Sequence, residues 1–191
     1  MAKIIINGGK TLNGEVEISG AKNAVLPIMS ATLLCPGKFT IYNVPDLRDT
    51  RTMMQLLEIT GAKTSFENGT VKVDTNNVNN PEAPYGLVKT MRASFYVLGP
   101  LISRFGKVQV SLPGGCAWGP RPVDYHLKGL EKLGANLDLE GGNILAEADE
   151  LIGCDIHFEF PSVGATGNLA MAAVRAKGIT RLFNCAKEPE I

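Results

Sequence analysis

Apolar residues fall into two alternating patterns along the chain. Ile4-Ile5-Ile6 and Glu15-Val16-Glu17-Ile18 flank the turn-rich stretch 7–14 and predict a β-hairpin. Beyond it the pattern becomes helical: 23–34 forms an apolar helix candidate with Pro27 tolerable in its first turn, Gly37 stops it, and 38–44 reads as a strand. The same order returns twice. A helix over 92–105 precedes Gly106 and a strand over 107–112, and a helix over 168–177 precedes Gly178 and a strand over 179–185. The three stop glycines stand 69 and 72 residues apart, which defines a repeat.

The downstream halves agree with that period. Leu57, Gly61-Ala62, Gly69 and Val71 recur 73 residues later as Leu130, Gly134-Ala135, Gly142 and Ile144. Each set predicts an amphipathic helix ending before Gly-Ala, then a two-stranded hairpin; in the second copy Val123, Leu127, Leu130 and Leu133 hold helical spacing, with Gly134 as the cap. One unit is therefore helix, strand, helix, strand, strand. The 191 residues hold two such units and the first half of a third, which ends where its second helix is expected, so the sequence is read as a fragment or one half of something. The fold class is α/β, and no Gly/Ser-rich or charged linker divides the chain.

Composition narrows the function classes. Hydrophobic residues make up 45% of the chain, enough for a core, while nineteen basic and nineteen acidic residues cancel. That balance gives no electrostatic support to a nucleic-acid or membrane-surface partner, so any anion is bound locally. Three apolar residues before the first turn are too few for a signal peptide, and the apolar run 95–102 is far short of a membrane span, which places the chain in the cytoplasm. Cys35, Cys116, Cys154 and Cys185 have no CxxC spacing and there are two histidines, which argues against a zinc site and a disulfide framework; no metal or cofactor is expected.

Candidate chemistry concentrates in Ser111-Leu-Pro-Gly-Gly-Cys-Ala-Trp-Gly-Pro-Arg-Pro-Val-Asp-Tyr-His126, a strand leading through a glycine-rich loop into a helix. Cys116 lies among Gly114, Gly115 and Gly119, with Arg121 and the helix start at Pro122 close behind. A guanidinium and a helix N-terminus lower a thiol pKa. Burial as a small apolar filler is the alternative. Lys22 and Asn23 stand at the start of the first helix, where unpaired N–H groups favour an anion, although 19–23 taken alone reads better as a capping turn with a solvated lysine; Arg92, and Ser162-Val-Gly-Ala-Thr166, hold corresponding places in the later units. These three places are candidates to converge on one ligand. His126 reads as a structural hydrogen-bonding group, Asp124 as a first-turn acid interacting with the helix dipole, and P-loop and GxGxxG motifs are missing.

Gly20-Ala-Lys-Asn-Ala24, Met91-Arg-Ala-Ser94, the 111–126 stretch, Pro161-Ser-Val-Gly-Ala-Thr166 and Glu188-Pro-Glu-Ile191 together resemble the successive signatures of the UDP-N-acetylglucosamine 1-carboxyvinyltransferases, the enolpyruvyl transferases of early peptidoglycan synthesis. The resemblance runs the length of the chain in order. It implies a pair of inside-out α/β domains of three units each, with the active site between them. Residues 1–19 would be a hairpin pairing with the missing second domain, and 20–191 the first domain, incomplete at its C-terminus. A separate chain carrying that second domain is a candidate partner.

The resemblance also implies roles. Lys22 and Asn23 would hold phosphoenolpyruvate, and Arg121 would grip its phosphate. Arg92, Arg121, Pro122, Val123, Asp124 and Tyr125, with Ser162, Val163, Gly164 and Ala165, would line the UDP-sugar. Cys116 would protonate the methylene carbon of phosphoenolpyruvate, and the carboxylate accepting the sugar hydroxyl proton would lie in the second domain. Trp118, Pro120, Gly167 and Lys187 depart from the usual pattern, where a smaller aliphatic residue, a small residue, glutamate and arginine are respectively common. Two other readings share many of these residues: a non-catalytic UDP-sugar-binding module, and a shikimate-type enolpyruvyl transferase, against which the cysteine loop and Arg121-Pro122-Val123-Asp124 argue.

Overall fold

The computed structural model describes residues 3–112 and 123–191. Its elements follow the period set by the stop glycines. The first unit comprises helix α1 (Lys22–Ala31) with a 3-10 turn (Thr32–Leu34), strand β1 (Lys38–Ile41), helix α2 (Arg48–Ile59) and strands β2 (Lys63–Glu67) and β3 (Thr70–Asp74). The second adds a short strand β4 (Glu82–Ala83) and helix α3 (Tyr85–Val88), then a 3-10 segment (Arg92–Val97) running into α4 (Leu98–Phe105), β5 (Lys107–Ser111), α5 (Asp124–Lys132), β6 (Asn136–Glu140) and β7 (Asn143–Glu147). The third has β8 (Asp155–His157), α6 (Val163–Ala173) and β9 (Arg181–Phe183).

Equivalent strands pair in equivalent ways. β3 lies between β1 and β2, and β7 between β5 and β6, all antiparallel, with Ile41 opposite Val71 in one sheet and Val110 opposite Ile144 in the other. β4 and β8 run parallel to β5 and β9. Glycines in the left-handed region end the helices before these strands: Gly61 and Gly134 after the second helices, and Gly106 after α4.

The helices α1, α4 and α6 are buried on half or more of their residues and pack against one another, while the sheets present one face to them through Val71, Val73, Val108, Val110, Ile144 and Ala146. Apolar helices enclosed by half-buried strands invert the usual arrangement, and the alternation of exposed and buried positions along the strands follows from it. At the C-terminal ends of the helices Arg104 donates to the carbonyls of Leu33 and Thr75, each at 3.1 Å, and Arg175 donates to those of Ser103 at 3.1 Å and Leu34 at 3.3 Å. Equivalent arginines thus satisfy carbonyls of neighbouring units, three of them at helix ends.

Four expectations change. The N-terminal hairpin does not form: residues 3–21 carry no strand, and Ile4, Ile5, Ile6, Leu12, Val16 and Ile18 are 79–94% exposed. A two-stranded hairpin is marginal in water unless a further strand or an apolar face covers it, and none of the described residues does so. Helix α6 starts at Val163, five residues before the expected start, because Ser162 caps it by accepting the Ala165 N–H at 3.3 Å. The third strand is confined to 181–183.

The helix expected over 92–105 is broken, and the cause lies in α6. Pro100 has no N–H to return to residue 96. One position earlier the Asn168 carboxamide replaces the backbone bond: its Oδ1 accepts the Gly99 N–H at 2.5 Å and its Nδ2 donates to the Phe95 carbonyl at 2.9 Å. A side chain spliced into the helical ladder leaves 92–97 wound as a 3-10 segment.

Candidate functional site

With their C-termini tied together at one end, the buried helices open at the other onto a cleft of about 360 Å³. α1 contributes Asn23, Leu26 and Pro27. The 3-10 segment contributes Arg92, Ala93, Phe95 and Tyr96. The start of α5 adds Val123 and His126, and the start of α6 adds Ser162, Val163 and Gly164. The equivalent places singled out in the three units therefore meet, so Asn23, Arg92, Val123, Ser162, Val163 and Gly164 share one wall.

Other expected residues lie elsewhere. The Lys22 ammonium forms an ion pair with Asp49 at 2.9 Å, with both side chains partly exposed. Asp124 is exposed, Tyr125 is half-buried edge-on against Phe158 with 5.8 Å between ring centroids, and Ala165 is fully buried behind the first turn of α6. Cys116, Arg121 and Pro122 lie outside the described residues.

The cleft is built to meet negative charge. Arg92 is the charged side chain among its described lining. The first-turn N–H groups of Val163 and Gly164 have no intrahelical acceptor, which adds the partial positive charge of a helix N-terminus. Burial raises the Tyr96 phenol pKa, opposed by Arg92 and reinforced by Glu188 and Glu190, so this group stays protonated. His126 is buried, stands edge-to-face against Phe95 at 4.9 Å, and has its pKa pushed down to about 3 by burial and then by Arg92. Its ring is neutral at physiological pH. No group of three or more metal-ligating side chains occurs among the described residues.

Leu26, Pro27, Ala93, Phe95, Tyr96 and His126 are lining residues that sequence reasoning missed. The apolar ones follow core periodicity and carry no local sign of facing a cleft. His126 had a signal: it follows the Arg121 to Tyr125 run directly, four residues after Pro122. The Tyr96 ring stands over Gly167, where a Cβ would come within 3.0 Å of Cε1, so the chain has little room for a side chain at 167.

The enclosed helices and three-stranded units define the fold of the enolpyruvyl transferases. The chain is similar to the enolpyruvyl transferase NikO from Streptomyces tendae, with a TM-score of 0.82 and 24% identity over 96% of this chain and 43% of that one. It is also similar to EPSP synthase from Acinetobacter baumannii, with a TM-score of 0.75 and 16% identity over 93% of this chain and 42% of that one. The family model for EPSP synthase (3-phosphoshikimate 1-carboxyvinyltransferase) matches residues 6–191, and the chain belongs to that family. Within it, the UDP-N-acetylglucosamine 1-carboxyvinyltransferases of Chlorobaculum parvum and Desulfosudis oleivorans are 56% and 55% identical to it over the whole chain. The chain spans 46% of the length of each. No helix among the described residues is long and apolar enough to cross a membrane.

Proposed function

We propose that this chain serves in the transfer of the enolpyruvyl group from phosphoenolpyruvate to the 3′-hydroxyl of UDP-N-acetylglucosamine, the first committed step of peptidoglycan synthesis, and forms one wall of the substrate cleft. The observation carrying this reading is the meeting of Asn23, Arg92 and the first turn of α6 around one cleft. A sugar diphosphate needs a guanidinium and fixed N–H donors, which these groups supply. Lys22, Asn23 and Arg121 hold phosphoenolpyruvate, and Arg121 to Tyr125 with Ser162 to Ala165 line the nucleotide sugar. Cys116 delivers its thiol proton to the methylene carbon as the sugar oxygen bonds to the neighbouring carbon, and loss of phosphate from that carbon together with a proton from the new methyl group restores the double bond. The carboxylate that takes the hydroxyl proton belongs to the part of its relatives' length that this chain does not span. The reaction is cytoplasmic and serves cell-wall biogenesis, on which cell shape and division depend.

Calorimetric titration of the chain with UDP-N-acetylglucosamine tests the binding half. Binding is expected, with Arg92→Ala weakening it about tenfold to a hundredfold, the worth of a charge-assisted hydrogen bond. No heat at millimolar ligand, or unchanged affinity in the variant, would sink the assignment. Cys116-dependent phosphate release is expected only once the remaining length of the relatives is supplied, since general-base help is worth about 10²–10⁴ in rate.

Thiol mapping tests the cysteine half. Cys116 is expected to react with an epoxide phosphonate before the other three. Cys154, whose pKa is raised chiefly by burial, is expected to be slower than the exposed Cys35. Mass mapping after brief exposure reads this order, and equal modification of all four thiols contradicts it.

A further inference from the structure

Asn168 does more than break a helix. A backbone N–H can only donate and a carbonyl can only accept, so the Gly99 N–H at 2.5 Å and the Phe95 carbonyl at 2.9 Å fix which end of the carboxamide is oxygen and which is nitrogen. The second Nδ2 proton then points at His126 Nδ1, 2.9 Å away. That nitrogen must accept, so in the neutral ring the proton sits on Nε2. Nε2 lies beside Gly164, where a Cβ would stand 3.3 Å from it, and His126 lines the cleft next to Arg92, Ser162 and Val163. The edge-on Phe95 ring holds the imidazole plane.

We propose that Asn168 is a positioning residue which, held in the broken ladder between Phe95 and Gly99, keeps His126 in the Nε2–H tautomer and so presents a fixed, uncharged N–H donor to an anionic oxygen at the first turn of α6. The proposal rests on the cleft receiving a sugar diphosphate. A protonated imidazole would set Nδ1–H against the Nδ2–H of Asn168, so the same contact that selects the tautomer also disfavours the cation. The charge facing the ring, Arg92 on the neighbouring 3-10 segment, acts in the same direction. The donor therefore keeps its proton and neutrality over the pH range in which an ordinary histidine would titrate.

The decisive readout is the nitrogen spectrum of 15N-histidine-labelled chain, with and without UDP-N-acetylglucosamine or inorganic pyrophosphate. An Nε2–H tautomer is expected, unchanged from about pH 7 to about pH 5, with either probe moving the Nε2–H signal and sparing Nδ1. Asn168→Asp keeps the shape but puts an acceptor opposite Nδ1; it should switch the ring to Nδ1–H or to the cation and weaken UDP-N-acetylglucosamine about tenfold. Should that variant fail to fold, the histidine pair decides. His126→Phe is expected to lose about tenfold in affinity, and His126→Gln, which places an N–H near the old Nε2, to recover part of it. An Nδ1–H or titrating ring in the wild type, or wild-type affinity in His126→Phe, overturns the proposal. A response to pyrophosphate without one to UDP-N-acetylglucosamine would leave the donor assignment standing and remove the sugar-nucleotide reading; silence to both removes the donor assignment itself.

Discussion

Gly99→Ala is expected to destabilise the chain by about 3 kcal/mol, the upper part of the range for overpacking a tight core. Gly99 has no strained backbone angle, so the reason is proximity: a Cβ there would collide with both the backbone carbonyl and the side-chain oxygen of Asn168. Helices α4 and α6 would have to part. Doing so breaks the Gly99 N–H bond and leaves buried amide groups unsatisfied, which adds to the steric cost. Gly86→Ala is the matching control, because that glycine lies in α3 with open space where a Cβ would go. Urea unfolding should show a large shift of midpoint for the first variant and almost none for the second. Equal midpoints for Gly99→Ala and wild type would mean that the two helices do not meet at this point.

A second large effect is expected on acidification. The buried His126 has its pKa lowered from 6.5 to about 3, so between those values the unfolded chain binds a proton that the folded chain does not. Stability contributed by the neutral ring is complete above about pH 6.5 and falls by about 1.4 kcal/mol for each pH unit below it, levelling near pH 3. Chemical unfolding at several pH values between about 7 and about 5 reads this slope before most carboxylates titrate. In His126→Gln the slope should largely vanish. An identical slope in the variant would assign the acid sensitivity to other groups.

The period of the chain was legible because each unit repeats one hydrophobic pattern and ends its helices on glycine. Gly37, Gly106 and Gly178 placed the units, and the hairpins after Gly61-Ala62 and Gly134-Ala135 lie where their alternation put them. Two of the features that escaped show why. The break at 92–97 depends on Asn168, which sits more than seventy residues away in the chain and reads locally as an ordinary helical polar residue. The N-terminal alternation 4–18 has strand periodicity, yet periodicity alone supplies no partner for its backbone or its apolar side. Of the candidate site, the residues at the starts of α1 and α6 and at Arg92 were legible because a repeat places equivalent residues equivalently. Lys22 was placed by its neighbours in sequence, whereas its ammonium is drawn to Asp49 on α2. His126 was understood as a hydrogen-bonding group, which fits its contact with Asn168; its position on the cleft wall needed the third dimension.

In a repeat architecture each unit commonly opens on its own, so that stability is lost in instalments along the chain. The carboxamide of Asn168 removes that freedom between the second and third units here. Because one side chain completes the backbone ladder of the neighbouring helix, α6 cannot swing out without uncovering an amide of α4, and α4 cannot fray without stranding a group of α6. The two helices are therefore expected to open as one cooperative unit. In solvent exchange, the Gly99 amide should be released with the amides of α6 in a single event, while the edge strand β2 opens earlier and alone. The cleft, lined by the 3-10 segment that leads into α4 and by the start of α6, is thereby expected to keep its shape until the whole pair gives way.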